Sequence, residues 1–319
     1  MKKYDYLHGA VVLALAISFS ACSNDDDIIS NQAKEIKAIT IAAPSINSNS
    51  SEANTRTTLS YSEGDGISIN WVQTTDMIRI GYDETSGSYK DYVAQQTGPT
   101  TTFTPESQAL PFNSGKKYYV NYPNNLNWSS YAIGGNQSQS SSGNTDHLAA
   151  GYIARLSGFT MSSADEMNNI AFSKAFATAH GGDFKQSSCL KIDVTLPQHT
   201  YGDDVTIKQI KIRTVNESNA IINVLPRKND GTTFLSDYII NFTEGDKVAA
   251  GGGTRIIGYY LLPATDITFP ANSKVNFTVT LSNDKYTGKR ATIGESAKVL
   301  EAGSLGVFKF NGSGWDAWK

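Results

Sequence analysis

Apolar and polar positions alternate with a period of two along most of this chain. The clearest run is residues 275–281, where Val275, Phe277, Val279 and Leu281 alternate with Asn276, Thr278 and Thr280. That is the pattern of a strand with one buried and one solvated face. Comparable runs cover residues 67–71, 77–82, 89–94, 101–104, 118–122 and 170–176. They resume at residues 190–196, 206–214, 220–224, 238–242, 254–262, 274–282, 289–300 and 305–310. Turn chemistry separates them, as in Asn113-Ser114-Gly115, Pro123-Asn124-Asn125 and Gly181-Gly182-Asp183. Strands spaced roughly ten to fifteen residues apart, with such turns between them, predict an all-β sandwich architecture. Residues 147–157 read as either a short helix or a strand. Residues 128–146 are almost wholly Ser, Gly, Asn and Gln beyond their first few positions and read as a surface loop.

Residues 35–42 (Glu-Ile-Lys-Ala-Ile-Thr-Ile-Ala) predict a single strand, apolar on both faces, that belongs inside a sheet. Residues 44–58 follow as a polar loop whose one basic residue is Arg56. Exposed polar loops are where proteases cut. A domain boundary is expected near residue 185, giving an N-terminal sandwich over 57–185 and a C-terminal sandwich over 186–319.

The first 22 residues read as an export signal. Lys2 and Lys3 precede an apolar stretch at residues 10–19, too short to cross a bilayer as a stable helix. Phe19-Ser20-Ala21-Cys22 then resembles a bacterial lipobox, in which the cysteine thiol is acylated and anchors the mature chain. The acidic run Asp25-Asp26-Asp27 resembles a surface-export signal of Gram-negative lipoproteins. The expected location is the outer membrane and cell surface, with Cys22 as the lipidated residue.

Composition narrows the function. The 319-residue chain has a net charge of −3 and 18% charged residues, with its basic residues scattered. A nucleic-acid partner needs a concentrated basic face, so none is expected. Of two cysteines, Cys22 belongs to the signal, and Cys189 reads as a small buried hydrophobe. His147, His180 and His199 lie far apart and at no metal-ligand spacing. Gly251-Gly252-Gly253-Thr254 lacks the ending of a phosphate loop and reads as a turn. Asp65 and Asp76 flank strand ends, where turn capping or solvation is the default. Trp71, Tyr82 and Trp128 fit core packing or loop anchoring better than a sugar platform. No enzyme activity, cofactor or metal is expected.

Several of these pieces occur in a telling order. Cys22 is followed by a spacer and Thr55-Arg56-Thr57, then by Trp71 and Asp76-Met77-Ile78, then by Tyr118-Tyr119-Val120-Asn121-Tyr122-Pro123. The second half carries Tyr259-Tyr260-Leu261-Leu262-Pro263-Ala264 and closes with Leu300-Glu301-Ala302-Gly303, a last strand and Trp315. This order resembles the fimbrillin family of type V pilus subunits. The resemblance implies two transthyretin-like Greek-key β-sandwich domains in tandem and a lipoprotein precursor. It further implies that an arginine-specific protease cuts after Arg56 and removes residues 23–56 with their strand. A strand from another pilin subunit, in a homo- or hetero-polymer, then fills the groove. The donor falls within residues 305–319, with Leu305, Val307, Phe308, Phe310 and Trp315 as its candidate residues. A host or bacterial surface receptor completes the implied partners. The competing reading is a lipid-anchored surface glycan-binding protein that retains residues 23–56.

Overall fold

The computed structural model describes residues 34–46, 60–62, 66–82, 88–128, 130–198, 201–229, 232–283, 285–287, 291–293, 295–310 and 315–316. Cys22, Arg56, Asp65 and His199 lie outside the described residues. Among those described, helix is limited to Asp146–Ala149, Lys174–Ala179 and the 3-10 turn Glu166–Asn168. Everything else that is regular is strand, so the chain is all-β.

The first half is built on one eight-stranded sheet. Its order is Asn169–Ala171, Ile39–Ala42, Thr100–Pro105, Ser88–Ala94, Met77–Tyr82, Tyr118–Tyr122, Ala154–Phe159 and Asp183–Gln186. All pairs are antiparallel except Ile39–Ala42 with Asn169–Ala171. The sheet curls round its own core. Trp71 touches Phe103 and Tyr122 edge-on at 5.1 Å, and Phe172 at 6.1 Å, rings that belong to distant parts of the sheet. Phe172 also stacks on Phe184, which closes the two ends toward each other.

The second half adds a sheet ordered Asn136–Gln139, Tyr238–Phe242, Ile207–Val215, Lys274–Leu281 and Lys285–Thr287, with Ala291–Thr292 also on Lys274–Leu281. Buried and half-buried positions alternate strictly along Lys274–Leu281, as its sequence requires. A third sheet, ordered Arg255–Leu262, Ser188–Thr195, Leu305–Phe310 and Trp315–Asp316, serves as a wall between the two apolar clusters. Leu190, Ile192, Val194, Tyr260, Leu262, Phe308 and Phe310 face the second cluster, whereas Cys189, Tyr259, Leu261 and Leu305 join the first. Positions 188–194 are therefore all buried, Lys191 and Asp193 included. Asp193 is satisfied by both arms of Arg255, at 2.8 and 2.7 Å. Residues 33–319 form one compact unit.

Several sequence expectations need correction. Residues 35–42 form two short strands, Glu35–Ile36 and Ile39–Ala42, because exposed Lys37 interrupts the run and the two pieces pair with different partners. Residues 170–176 are not one strand. Ser173 caps a helix there, its Oγ accepting from Phe176 N at 3.1 Å, and the Ala-rich segment Lys174–Ala179 continues it. Residues 147–157 contain both alternatives, a helical end and the strand Ala154–Phe159. Within 220–224 only the isolated bridge of Ile221 to Val215 forms. Residues 128–146 are not simply a loop, since Asn136–Gln139 pairs in parallel with Tyr238–Phe242.

Candidate functional site

The N-terminal segment 34–46 is bound as an inserted strand. Ile39–Ala42 lies between two strands and is hydrogen-bonded on both sides, antiparallel to Thr100–Pro105 and parallel to Asn169–Ala171. Ile36, Ile39, Ile41, Ala43 and Ile46 are at most 1% exposed. Full burial of an isoleucine contributes about 1.5–3 kcal/mol, so the four isoleucines together contribute roughly 6–12 kcal/mol as an upper estimate. That rivals the whole stability of a domain, about 5–15 kcal/mol. The first half therefore depends on having this slot filled.

The groove holds the segment mainly by its backbone. Trp71 Nε1 donates to Ile41 O at 3.1 Å, and Gln186 Nε2 donates to Ser45 O at 2.8 Å. Tyr92 Oη donates to Ile36 O at 2.7 Å and accepts from Leu110 N at 3.0 Å. Burial pushes the Tyr92 phenol up to about 12, so it remains a donor through the physiological range. Phe112 N reaches Lys34 O at 2.7 Å, Ala43 N reaches Pro99 O at 3.0 Å, and Ile46 and Ile67 exchange bonds of 2.9 and 2.8 Å. Almost all these contacts read backbone carbonyls and amides, not side-chain identity. Any extended segment with apolar residues at alternate positions meets the same requirements.

Asp76 sits at the rim of the same core. It is 6% exposed, its Oδ2 accepting from Val72 N and its Oδ1 from Tyr122 Oη at 2.9 Å. It is thus a buried turn cap. Trp71 is a core residue, fully buried, as packing predicted.

No family model matches the chain, and no curated protein matches it. Two solved structures are similar in outline. One is a candidate cell adhesion protein from Bacteroides uniformis, with a TM-score of 0.39 and 12% identity over 89% of this chain and 96% of that one. The other is the tip fimbrial protein Mfa3 from Porphyromonas gingivalis with a C-terminal truncation, with a TM-score of 0.35 and 9% identity over 88% of this chain and 98% of that one. Likeness at this level sets no residue correspondence and carries no argument for function.

The candidate donor residues occupy the wall sheet. Leu305–Phe310 pairs in parallel with Ser188–Thr195 and antiparallel with Trp315–Asp316, Phe310 lying opposite Trp315. Leu305, Phe308 and Phe310 are buried and Val307 is half-buried. Cys189 has no exposure, and burial pushes its thiol well up. Among the described residues, no group of three or more His, Cys, Asp or Glu side chains is placed to hold a metal. No helix among them is long and apolar enough to cross a membrane. Sequence reasoning missed Tyr92 and Gln186, because the backbone carbonyls they grip lie 56 and 141 residues away along the chain.

Proposed function

We propose that this protein is a structural subunit of a surface fimbria, made as a lipoprotein anchored through Cys22 and activated by cleavage after Arg56. Segment 34–46 is a placeholder strand, and an extended segment of another subunit replaces it. One observation carries this reading. Its strand Ile39–Ala42 is bonded on both edges, and the segment fills an apolar slot and is gripped through its backbone. Loss of such a strand without replacement leaves unpaired N–H and C=O groups beside exposed apolar surface, a template for strand addition. An arginine-specific protease, other pilin subunits and a surface receptor are the partners this reading requires. Tandem transthyretin-like Greek-key sandwiches over 57–185 and 186–319 belong to the same proposal.

The proposed donor is Leu305, Val307, Phe308 and Phe310 with Trp315. In the uncleaved subunit this hairpin belongs to the wall sheet, so donation requires it to leave that sheet.

A second reading, glycan binding, is favoured by one feature. The outer face of the eight-stranded sheet carries Tyr89, 42% exposed, with the Arg79 guanidinium 3.9 Å above its ring. Limited trypsin digestion of residues 23–319, followed by mass spectrometry and size-exclusion chromatography, separates the two. Strand exchange gives a cut after Arg56 and heat-resistant oligomers. A cut that leaves a stable monomer overturns strand exchange and moves weight to glycan binding.

A further inference from the structure

The strand Arg255–Leu262 is at one margin of the wall sheet, with Ser188–Thr195 on one side only. Its other edge presents the N–H and C=O groups of residues 257, 259 and 261. Among the described residues no strand pairs with them, yet each one is met. Leu261 N donates to Gln137 Oε1 at 2.9 Å, and Gln137 Nε2 returns a bond to Leu261 O at 2.8 Å. Tyr259 N donates to Gln139 Oε1 at 3.0 Å, and Gln139 Nε2 reaches Ile257 O at 2.9 Å. Ile257 N donates to Ser142 Oγ at 2.8 Å, and Gly143 N also reaches Ile257 O at 2.9 Å. His147 Nε2 bonds Tyr259 O at 2.9 Å. A carbonyl only accepts, so Nε2 carries the proton.

The glutamine side chains thus act as a strand. Gln137 and Gln139 are two residues apart and serve Leu261 and Tyr259, also two apart, because both segments have the strand period. The same segment spends its backbone on the opposite sheet, pairing Asn136–Gln139 with Tyr238–Phe242. It therefore stitches the two sheets of the second half together along one side, main chain to one and side-chain amides to the other. No residue from 134 to 143 carries an apolar side chain (Gly-Gly-Asn-Gln-Ser-Gln-Ser-Ser-Ser-Gly). Polar contacts hold it, whereas four isoleucines anchor the N-terminal segment.

We infer that residues 134–143 are an edge guard, which keeps the Arg255–Leu262 edge closed to strand addition by a second copy of this chain. Both faces of that edge are apolar: Ile256, Tyr260 and Leu262 face one cluster, and Tyr259 and Leu261 the other. A segment added there must be apolar on both faces too. Leu305–Phe310 is such a segment, contributing Leu305 to one cluster and Phe308 and Phe310 to the other. The choice of occupant rests on the strand-exchange reading. A subunit that exchanges strands needs one acceptor open and its other edges shut, or its growth branches.

The test uses the uncleaved chain, so it does not depend on processing at Arg56. Gln137→Ala with Gln139→Ala removes the amide ladder. Amide hydrogen exchange at Tyr259 and Leu261, whose acceptors are lost, is expected to rise about tenfold. A labelled peptide of residues 305–310, which stands in for the released strand of a second copy, is expected to bind the variant and not the parent, read by fluorescence anisotropy. Unchanged exchange at these amides overturns the inference, and so does faster exchange in a chain that does not bind the peptide. Gln139 is fully buried, so if the double variant does not fold, the single change Gln137→Ala, at a half-buried position, gives the readout at Leu261 and the peptide binding. Failure of the strand-exchange reading itself appears elsewhere, as a stable monomer after trypsin treatment of the unaltered chain.

Discussion

The indole Nε1 of Trp71 donates to the carbonyl oxygen of Ile41 at 3.1 Å, joining the centre of the first core to the backbone of the strand proposed to leave it. Trp71 also touches Phe103, Tyr122 and Phe172, which pack the indole in place. Trp71→Phe keeps most of the ring contacts and removes the donor. One neutral hydrogen bond contributes about 0.5–1.5 kcal/mol net. Exchange of the amides in 39–43 should therefore rise roughly two- to twelvefold. Unchanged exchange would mean that the sheet ladder alone holds the segment.

Tyr92 makes this hold sensitive to high pH. Its folded value is raised to about 12 from an ordinary value of 10, with burial as the main cause. A raised value means that its contribution is fully present below pH 10 and is lost as pH climbs through about 12. The uncleaved chain should lose stability across that window, with tyrosinate absorbance rising alongside. Tyr92→Phe strands Ile36 O and Leu110 N in the core, lowering stability near neutrality by about 1–3 kcal/mol. It should also flatten the alkaline slope. A variant with the parent's slope would assign that transition to other tyrosines.

The placeholder reading makes a differential prediction. Ile41 is fully buried in the segment, so Ile41→Ala should destabilise the uncleaved chain by about 2–5 kcal/mol. The processed, assembled form no longer contains residue 41 and should keep the parent's melting temperature. Chemical denaturation of the precursor and thermal melting of the polymer check the two halves. An equal loss in both would show that the segment stays in place.

Cys189 should be silent toward thiol reagents. It has no exposure, and its thiol is pushed well up by burial, so little thiolate exists near neutral pH. Labelling of residues 23–319 by a maleimide should be slow in native buffer and rapid in denaturant. Where Cys22 is lipidated, it contributes no free thiol in either condition.

A strand with one wet face is legible from its alternation of apolar and polar positions. Residues 77–82 and 238–242, where buried positions alternate with half-buried ones over most of the length, are legible to their ends. Residues 170–176 misled because Phe172 and Phe176 suit a strand, while the signals that decide are the cap at Ser173 and the alanines after it. The edge guard was illegible for a deeper reason. Alternation detects apolar positions, and 134–143 has none, so a strand whose partners are amide side chains reads as a loop. At the candidate site, the apolar placeholder could be read from its isoleucines. The donors that grip its carbonyls could not, because their pairing exists only after the chain folds.

The wall sheet offers the last prediction. Asp193 is buried, its carboxylate only 4% exposed, and Arg255 reaches it with two nitrogens while remaining 49% exposed itself. Desolvating the carboxylate is expensive, so this pair is weak evidence for added stability. Removing one partner is a different matter. Arg255→Ala leaves a buried carboxylate in a sheet that both clusters share, and breaking a buried pair in this way costs about 3–5 kcal/mol. Arg255→Lys keeps the charge but not the two-armed geometry, so it should fall between the parent and the alanine variant. Because Ser188–Thr195 lies beside both Arg255–Leu262 and Leu305–Phe310, the loss should appear as one cooperative transition in denaturant. It should be reported alike by amide exchange at Ile80 in the first cluster and at Ile192 in the second. Two separated transitions would mean that the wall does not couple the clusters.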